Sequence, residues 1–318
     1  MTIITDTLST IEQTEGSAPR PKPFPAPKPG GSAGLFLGGI QTLFQVGGRI
    51  APGALAGYAF KMYFTPRRKK SCAKEDKLTE RAKAFSVPFK GNQYVPYPGG
   101  ELSAWMWGES GPIVLLVHGW ETNGAWMAAP FLTSLLGAGF RVVTFDMPAH
   151  GTSPGKYADL MDFASAIQAV AASVGEIHAI IAHSLGAAAV TVAVGNGLQV
   201  SRLVYIAPVC WILSLTEQFC EVFKLPPSTQ RAFYRRMFST YSEAAFVRTS
   251  GDVASRQIKA PGLIFHDKGD SRIHYAGAEA IHAQWPQSEL VTTEGLDHRE
   301  ITRNRSVIKR TIQFVSGK

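Results

Sequence analysis

The sequence predicts an α/β fold with a mostly parallel central sheet and helices on both of its faces. From residue 84 to the C-terminus, short apolar segments alternate with longer segments of helical pattern, which is typical of βαβ units. The segment 113–117, IVLLV, is apolar throughout, and this indicates a strand buried on both faces. In such a fold we expect functional groups at the carboxyl ends of the strands.

The elements follow one another along the chain without long gaps. The predicted strands cover residues 84–97, 102–107, 113–117, 141–145, 177–182, 203–206, 263–266 and 290–293. The predicted helices cover residues 125–136, 157–174, the Ala-rich stretch after Leu185, 275–284 and the C-terminal end. Residues 84–318 are therefore expected to form one domain, which carries an insertion at about residues 209–257.

Composition narrows the class of protein. The 318 residues are 45% hydrophobic and 18% charged, as in ordinary globular proteins. The three cysteines are odd in number and have no spacing typical of a metal site. We therefore predict no disulfide framework and no metal site, and we expect the protein in a reducing compartment. Ten Lys or Arg against three Asp or Glu between residues 61 and 90 account for most of the formal charge of +8. A charge confined to one segment, without a nucleic-acid motif, argues against a nucleic-acid partner.

The first 83 residues predict two segments outside this domain. Residues 1–33 hold regularly spaced prolines and few apolar residues, which is typical of a disordered Pro-rich arm. Residues 34–83 predict a helical, basic N-terminal extension. The chain does not start with a basic stretch followed by an apolar core, so no secretory signal is predicted and we expect a cytoplasmic protein.

Two interpretations of the extension stay open. Residues 34–64 are apolar enough to suggest a membrane span, but Gln41, Gln45 and Arg49 interrupt them and Pro52 breaks the run. Two short amphipathic helices are therefore expected. We favour helices that pack on the folded domain, with a solvated basic run at 67–70. The alternative is peripheral contact of residues 34–70 with the inner membrane surface.

A strand-turn-helix motif lies near the middle of the chain. The apolar run 177–182 leads into His183, Ser184 and Leu185, and an Ala-rich helical stretch follows. A strand that turns into a helix within so few residues crowds its backbone, so small residues are needed two positions before and after the centre. Ala182 and Gly186 meet this demand. Ser184 is then expected on a tight turn, with its hydroxyl exposed above the sheet.

Five motifs in order resemble those of the α/β-hydrolases. They are LLVHGW at 115–120, DMPAHGTS at 146–153, AHSLG at 182–186, HDKGD at 266–270 and GLDH at 295–298. The resemblance runs from about residue 85 to the end, and it implies a catalytic triad in the order nucleophile, acid, base. It identifies Ser184 as the nucleophile and His298 as the base. The backbone N–H groups of Trp120 and Leu185 are the implied oxyanion hole.

The acid has two candidates. Asp267 and Asp270 both follow the strand 263–266. In related hydrolases an aliphatic residue commonly stands three positions after the acid, and Ile273 stands so after Asp270, which makes Asp270 our choice. Asp297 adjoins the base in sequence, but adjacent side chains diverge, so we interpret it as solvated or as a helix cap.

The resemblance also implies an activity. It predicts a serine hydrolase, esterase-like, that acts on a small apolar ester or acyl substrate without metal or organic cofactor, and it interprets the insertion 209–257 as a small helical cap with an aromatic underside. We expect most of those rings to bury the cap against the sheet. Thioesterase, lactonase or other chemistry on the same triad stays open, as does a non-catalytic membrane-associated or binding module.

Overall fold

The protein divides into two compact units. The structure, a computed structural model, describes residues 20–22, 24, 31–92, 94 and 99–318, with side chains of the first helix from residue 34. One unit combines the described residues up to Thr65 with Trp211–Ser250, and the other combines Pro66–Cys210 with Gly251–Lys318. The boundary predicted between residues 83 and 84 does not coincide with this division. Most of the predicted arm, residues 1–33, lies outside the described residues.

The second unit is built on a sheet of eight strands within the described residues. These strands are β1 (Lys83–Phe89), β2 (Gly100–Trp107), β3 (Ile113–Val117), β4 (Arg141–Phe145), β5 (Ile177–His183), β6 (Arg202–Ile206), β7 (Gly262–Asp267) and β8 (Ser288–Thr293). Their order in the sheet is β1-β2-β4-β3-β5-β6-β7-β8. The β1/β2 and β2/β4 pairs are antiparallel and the others are parallel. The predicted α/β class with a mostly parallel sheet is confirmed.

Thirteen α-helices lie in the described part of the chain. They are α1 (Gly31–Ile50), α2 (Pro52–Tyr63), α3 (Ala73–Thr79), α4 (Gly124–Ala128), α5 (Leu132–Gly137), α6 (Leu160–Val174), α7 (Leu185–Gly195), α8 (Ile212–Val222), α9 (Pro227–Tyr241), α10 (Glu243–Arg248), α11 (Gly251–Ala254), α12 (Tyr275–Gln284) and α13 (Arg305–Val315). Short 3-10 helices span Ser255–Gln257 and Glu300–Arg303.

Three predicted boundaries were wrong. The helix expected over 125–136 is two helices, α4 and α5, because Pro130 has no N–H to donate and its ring crowds the preceding turn. The helix expected from residue 157 begins at Leu160, where the Asp159 side chain accepts a hydrogen bond from the N–H of Asp162 and caps the first turn. The first strand ends at Phe89 rather than at residue 97; residues 93 and 95–97 lie outside the described part.

The strand order creates a crevice beside β3. The chain leaves β3 toward β4 on one side, and it leaves the adjacent strand β5 toward β6 on the other. Loops that diverge from two neighbouring parallel strands leave a space between them at the carboxyl ends. The central strands are buried, and all five residues of β3 are at most 1% exposed. The sheet is therefore a rigid base for the loops after β3 and β5.

The first unit joins the N-terminal helices to the insertion. Phe44 of α1 is fully buried, and the Gln41 side chain donates a hydrogen bond to the carbonyl of Val222 at 2.8 Å. Rings from the two segments also meet, such as Tyr63 against Phe219, with centroids 5.4 Å apart. The insertion was expected to bury its rings against the sheet, whereas these ring contacts join it to α1 and α2. Among the described residues, no helix combines the length and apolar character that crossing a membrane requires.

Candidate active site

Ser184 occupies the turn between β5 and α7. Its backbone has φ 55° and ψ −124°, a conformation that costs energy for a residue with a side chain. The chain is crowded here, because a Cβ on Gly186 would lie 2.5 Å from the carbonyl oxygen of His118. The small residue expected at 186 is therefore a steric requirement of the loop after β3. The turn leaves the Ser184 side chain beside the crevice between β3 and β5.

The structure brings Ser184, His298 and Asp270 together in one hydrogen-bonded chain. Ser184 Oγ lies 2.9 Å from His298 Nε2, and His298 Nδ1 lies 2.7 Å from Asp270 Oδ2. All three residues are buried, although 86 positions separate Ser184 from Asp270 in sequence. Each follows the carboxyl end of a different parallel strand, β5, β7 or β8. The geometry is that of a nucleophile, a base and an orienting acid.

The surroundings of Asp270 keep its carboxylate ionised. Burial by itself would raise the pKa of Asp270, but hydrogen bonds from His266 and His298 and from the backbone N–H of Arg272 outweigh it and hold the pKa well below its usual range. An ionised carboxylate only accepts hydrogen bonds. His298 Nδ1 must therefore carry the proton, which leaves Nε2 free to accept the hydrogen bond from the Ser184 hydroxyl.

The two other aspartates have structural partners. Asp267 is fully buried, and its carboxylate accepts hydrogen bonds from the N–H of Gly269 at 2.8 Å, the hydroxyl of Thr293 at 2.7 Å and the N–H of Leu296 at 2.9 Å. Asp297 is exposed and accepts hydrogen bonds from two N–H groups at the start of the 3-10 helix Glu300–Arg303. Neither carboxylate bonds to His298, so Asp270 is the aspartate that contacts this histidine.

Two histidines beside Ser184, His298 and Asp270 were not predicted as site residues from the sequence. His183 donates a hydrogen bond from Nε2 to the backbone carbonyl of His298 at 2.8 Å. His266 donates from Nε2 to the carbonyl of Ile273 at 3.0 Å, and the same atom lies 3.4 Å from Asp270 Oδ2. His183 thus contacts a loop 115 positions away in sequence, whereas His266 contacts the loop that directly follows its own strand. The only sequence signal was their place at the carboxyl ends of β5 and β7, next to predicted triad residues.

Burial keeps His183 neutral. Desolvation, reinforced by the neighbouring His298, lowers the pKa of His183 well below its usual value. Its ring packs 5.3 Å from the Trp126 ring and 4.7 Å from the His298 ring, measured between centroids. A neutral imidazole that donates from Nε2 has no proton on Nδ1, and this atom has no hydrogen-bond partner among the described residues. His183 therefore holds the His298 loop without adding a charge.

The loop after β3 passes directly over Ser184. A Cβ on Gly119 would lie 3.0 Å from Ser184 Cβ, so the backbone here approaches as closely as a glycine allows. The N–H of Trp120 donates no hydrogen bond to the described part of the chain. The N–H of Leu185 belongs to the first turn of α7, where no preceding helical carbonyl is available. The two predicted oxyanion donors thus belong to the two loops that flank the crevice.

The remaining motif residues hold these loops in place. His118 accepts a hydrogen bond at Nε2 from the N–H of Met147 at 2.9 Å, and burial lowers its pKa. Burial also lowers the pKa of His150 to about 3, with the neighbouring His118 and Arg68 adding to the effect. Asp146 accepts hydrogen bonds from the N–H groups of Gly124 and Thr152. These contacts tie the loops after β3 and β4 together.

The described residues contain no group of three or more His, Cys, Asp or Glu side chains placed to hold a metal ion. The three cysteines are free, with Cys72 exposed and Cys210 and Cys220 buried. Beside the crevice the structure brings together a serine hydroxyl, a histidine imidazole and an aspartate carboxylate. This set is suited to acyl transfer.

A sequence model of the alpha/beta hydrolase family matches residues 114–305, a range that includes all five predicted site residues. No curated protein matches the sequence.

Solved structures of similar fold include enzymes named as esterases. The esterase Pf2001 of Pyrococcus furiosus is 19% identical, with a TM-score of 0.61 over 80% of this chain and 98% of that one. The carboxylesterase CesB of Bacillus subtilis is 17% identical, with a TM-score of 0.56 over 84% and 99%. A membrane phospholipase A, described as a bacterial virulence factor, is 17% identical, with a TM-score of 0.55 over 89% and 98%. At these identities the likeness concerns the fold.

Proposed function

Because this chain belongs to the alpha/beta hydrolase family, we propose that it is a serine hydrolase that cleaves carboxylic esters, or related acyl bonds, through an acyl-enzyme intermediate. The observation that carries this proposal is the unbroken hydrogen-bonded chain from Ser184 through His298 to Asp270. A serine hydroxyl is a weak nucleophile until a base takes its proton. In this proposal the base is His298, protonated on Nδ1 so that Nε2 can accept the proton of Ser184.

In the first half-reaction, Ser184 Oγ attacks the carbonyl carbon of the substrate as its proton passes to His298 Nε2. The imidazolium that forms is stabilised by the Asp270 carboxylate, 2.7 Å from Nδ1. When the tetrahedral intermediate collapses, the same Nε2 proton goes to the leaving alkoxide. The alcohol departs and the acyl group stays on Ser184.

The negative charge of the tetrahedral oxygen needs donors that are already in place. In this proposal the N–H groups of Trp120 and Leu185 supply them, from the loop after β3 and from the start of α7. The close approach of Gly119 to Ser184 supports this role, because it brings the first loop within reach of the reacting carbon. The positive end of the α7 dipole favours the same charge.

In the second half-reaction, water replaces the alcohol. His298 takes a proton from this water, the resulting hydroxide attacks the acyl carbon, and the proton is returned to Ser184 as the carboxylic acid departs. A small apolar ester is the proposed substrate, supported by the esterases among the proteins of similar fold. Thioesters and lactones would follow the same steps, so a panel of p-nitrophenyl esters, acyl thioesters and lactones identifies the preferred bond.

The experiment that tests the proposal is labelling of the purified full chain with a fluorophosphonate probe, together with hydrolysis of p-nitrophenyl esters. Native protein is expected to label and to turn over, and Ser184→Ala is expected to do neither. Ser173→Ala is the matched control, because Ser173 is exposed on α6, where its hydroxyl bonds to the carbonyl of Val170. Labelling that persists in Ser184→Ala contradicts the proposal. So does folded native protein that neither labels nor hydrolyses any acyl compound of the panel, and a binding role would then be the better account.

A further inference from the structure

One side of α1 exposes large apolar side chains to solvent. The five exposed residues are Leu35 at 81%, Phe36 at 74%, Leu43 at 47%, Val46 at 57% and Ile50 at 80%. With 3.6 residues per turn they fall within a sector about 100° wide, and they extend over ~23 Å of helix. We call them the α1 stripe. Single exposed apolar residues are common on proteins, but five large ones on one side of a single helix mark a surface that binds something.

The opposite side of α1 packs against the insertion. Phe44 is fully buried, and the Gln41 side chain donates to the carbonyl of Val222. Gly48 packs against α9 so closely that an added Cβ would lie 2.6 Å from the Thr229 hydroxyl, which donates to the Gly48 carbonyl at 2.9 Å. These contacts hold the rotation of α1 about its axis. The α1 stripe therefore points away from the helices that α1 packs on.

The surface that carries the stripe is basic. Helices α1 and α2 contain Arg49 and Lys61, both exposed, and no acidic residue. Neither cation belongs to an ion pair found within the described residues. Lys61 lies one helical turn from Tyr58, which is 46% exposed. Over its described residues the whole first unit has nine Lys or Arg against three Glu.

We propose that α1 is an interfacial anchor that lies flat on an anionic lipid surface, with the α1 stripe inserted among the acyl chains and the basic side chains at the headgroups. The α1 stripe is complementary to the acyl chains of such a surface, and the surrounding basic side chains are complementary to its anionic headgroups. The helix lies in the surface rather than across it, because no described helix is long and apolar enough to cross a membrane. A second copy of this chain fits less well as the occupant, since it would bring further unpaired cations to the same contact. The proposal goes beyond the hydrolase reaction and does not depend on it.

Two adjacent glycines allow a matched test. Gly39 lies at the centre of the α1 stripe, and Gly38 lies about 60° outside its edge. An added Cβ meets no atom within 4 Å at either position. Gly38→Glu and Gly39→Glu therefore change net charge and helix propensity equally, and they differ only in whether the carboxylate points into the lipid.

The measurement is cosedimentation of the full chain with vesicles of equal parts phosphatidylcholine and phosphatidylglycerol, compared with phosphatidylcholine alone. We expect native protein to bind the anionic vesicles and to lose most of that binding in high salt. Gly39→Glu should weaken vesicle binding about tenfold more than Gly38→Glu, and Gly39→Leu should tighten it about tenfold through added apolar burial. Thermal midpoints at or above that of native protein would show that all three variants fold.

Three outcomes would overturn the proposal. Native protein that stays in the supernatant with anionic vesicles has no such anchor. Equal losses in Gly38→Glu and Gly39→Glu would mean that only charge, and not the stripe, contacts the lipid. A native chain that dimerises without lipid, and that Gly39→Glu alone returns to a monomer, would assign the stripe to a second copy of this chain.

Discussion

The ring of His183 donates a hydrogen bond to the backbone carbonyl of His298, so the residue before the proposed nucleophile holds the loop that carries the proposed base. The distance is 2.8 Å, and 115 positions separate the two residues in sequence. The imidazole Nε2 of His298 lies 2.9 Å from Ser184 Oγ. The distance between Ser184 Oγ and the His298 imidazole therefore depends on the backbone conformation of Ser184 and on the His183 side chain, which holds the His298 carbonyl.

We expect His183 to act as a positioning residue. His183→Leu removes the donor and leaves the His298 carbonyl buried without a partner, at a cost of ~1–3 kcal/mol. It should lower kcat by roughly tenfold or more while KM for a small ester changes little. His183→Gln keeps a donor at a similar distance from the backbone and should recover most of the rate. Steady-state kinetics of the two variants decide this, and equal rates for Leu and Gln would assign His183 to packing alone.

Replacing Asp270 and Asp267 by asparagine, one at a time, distinguishes an aspartate that orients the base from one that stabilises the loop. Asp270→Asn should lower kcat by an order of 10⁴, because an amide no longer favours the His298 tautomer that accepts from Ser184. Asp267→Asn should leave kcat within a few-fold and lower the free energy of unfolding by ~1–3 kcal/mol, because its carboxylate holds Gly269, Thr293 and Leu296. Ester hydrolysis and urea unfolding of both variants are the measurements. A larger loss of kcat in Asp267→Asn would reverse the assignment.

Glycines at the two ends of α7 should respond to alanine in opposite ways. In Gly186→Ala the new Cβ would lie 2.5 Å from the His118 carbonyl, and we expect a loss of ~1–3 kcal/mol in the free energy of unfolding. In Gly195→Ala the nearest atoms are the Gln257 side chain at 3.7 Å. There alanine should stabilise by up to ~1 kcal/mol through helix propensity. Urea unfolding of both variants tests the steric requirement at the turn; tolerance of alanine at 186 would argue against it.

The pH dependence of stability should include a contribution from Asp162. Burial, with the neighbouring Asp159 adding to it, raises the pKa of Asp162 from 3.8 to about 8. Between these values the folded chain keeps a proton that the unfolded chain has released, so the free energy of unfolding falls as pH rises through this window.

Asp162→Asn removes the titrating carboxyl group, and with it this contribution to the pH dependence of the free energy of unfolding. The amide cannot accept from the N–H groups of both Asn92 and Asp159, as the carboxyl does, so the variant should be less stable than native protein at low pH. The deficit should shrink as pH rises. Urea unfolding at about pH 5 and about pH 8 measures it, and a deficit that is the same at both would show that Asp162 has no raised pKa.

Local patterns were enough to predict the sheet and the turn at Ser184. Continuous apolar runs such as Ile113–Val117 appear as buried strands, because a strand covered on both faces has no polar side. The small residue at 186 was predicted from crowding alone, and the carbonyl of His118 accounts for it. Pro130 divides the helix expected over 125–136, although the proline was visible in the sequence.

The sequence by itself determined the order of the elements, the α/β class and the residues that could form a site, because periodicity, turn chemistry and motif spacing are properties of short segments. Only the tertiary structure decided which of these residues meet. That His183 holds the His298 loop, and that α1 packs on the insertion with one apolar side exposed, both depend on contacts between distant segments. Such contacts follow from strand order and helix rotation, which no local pattern encodes.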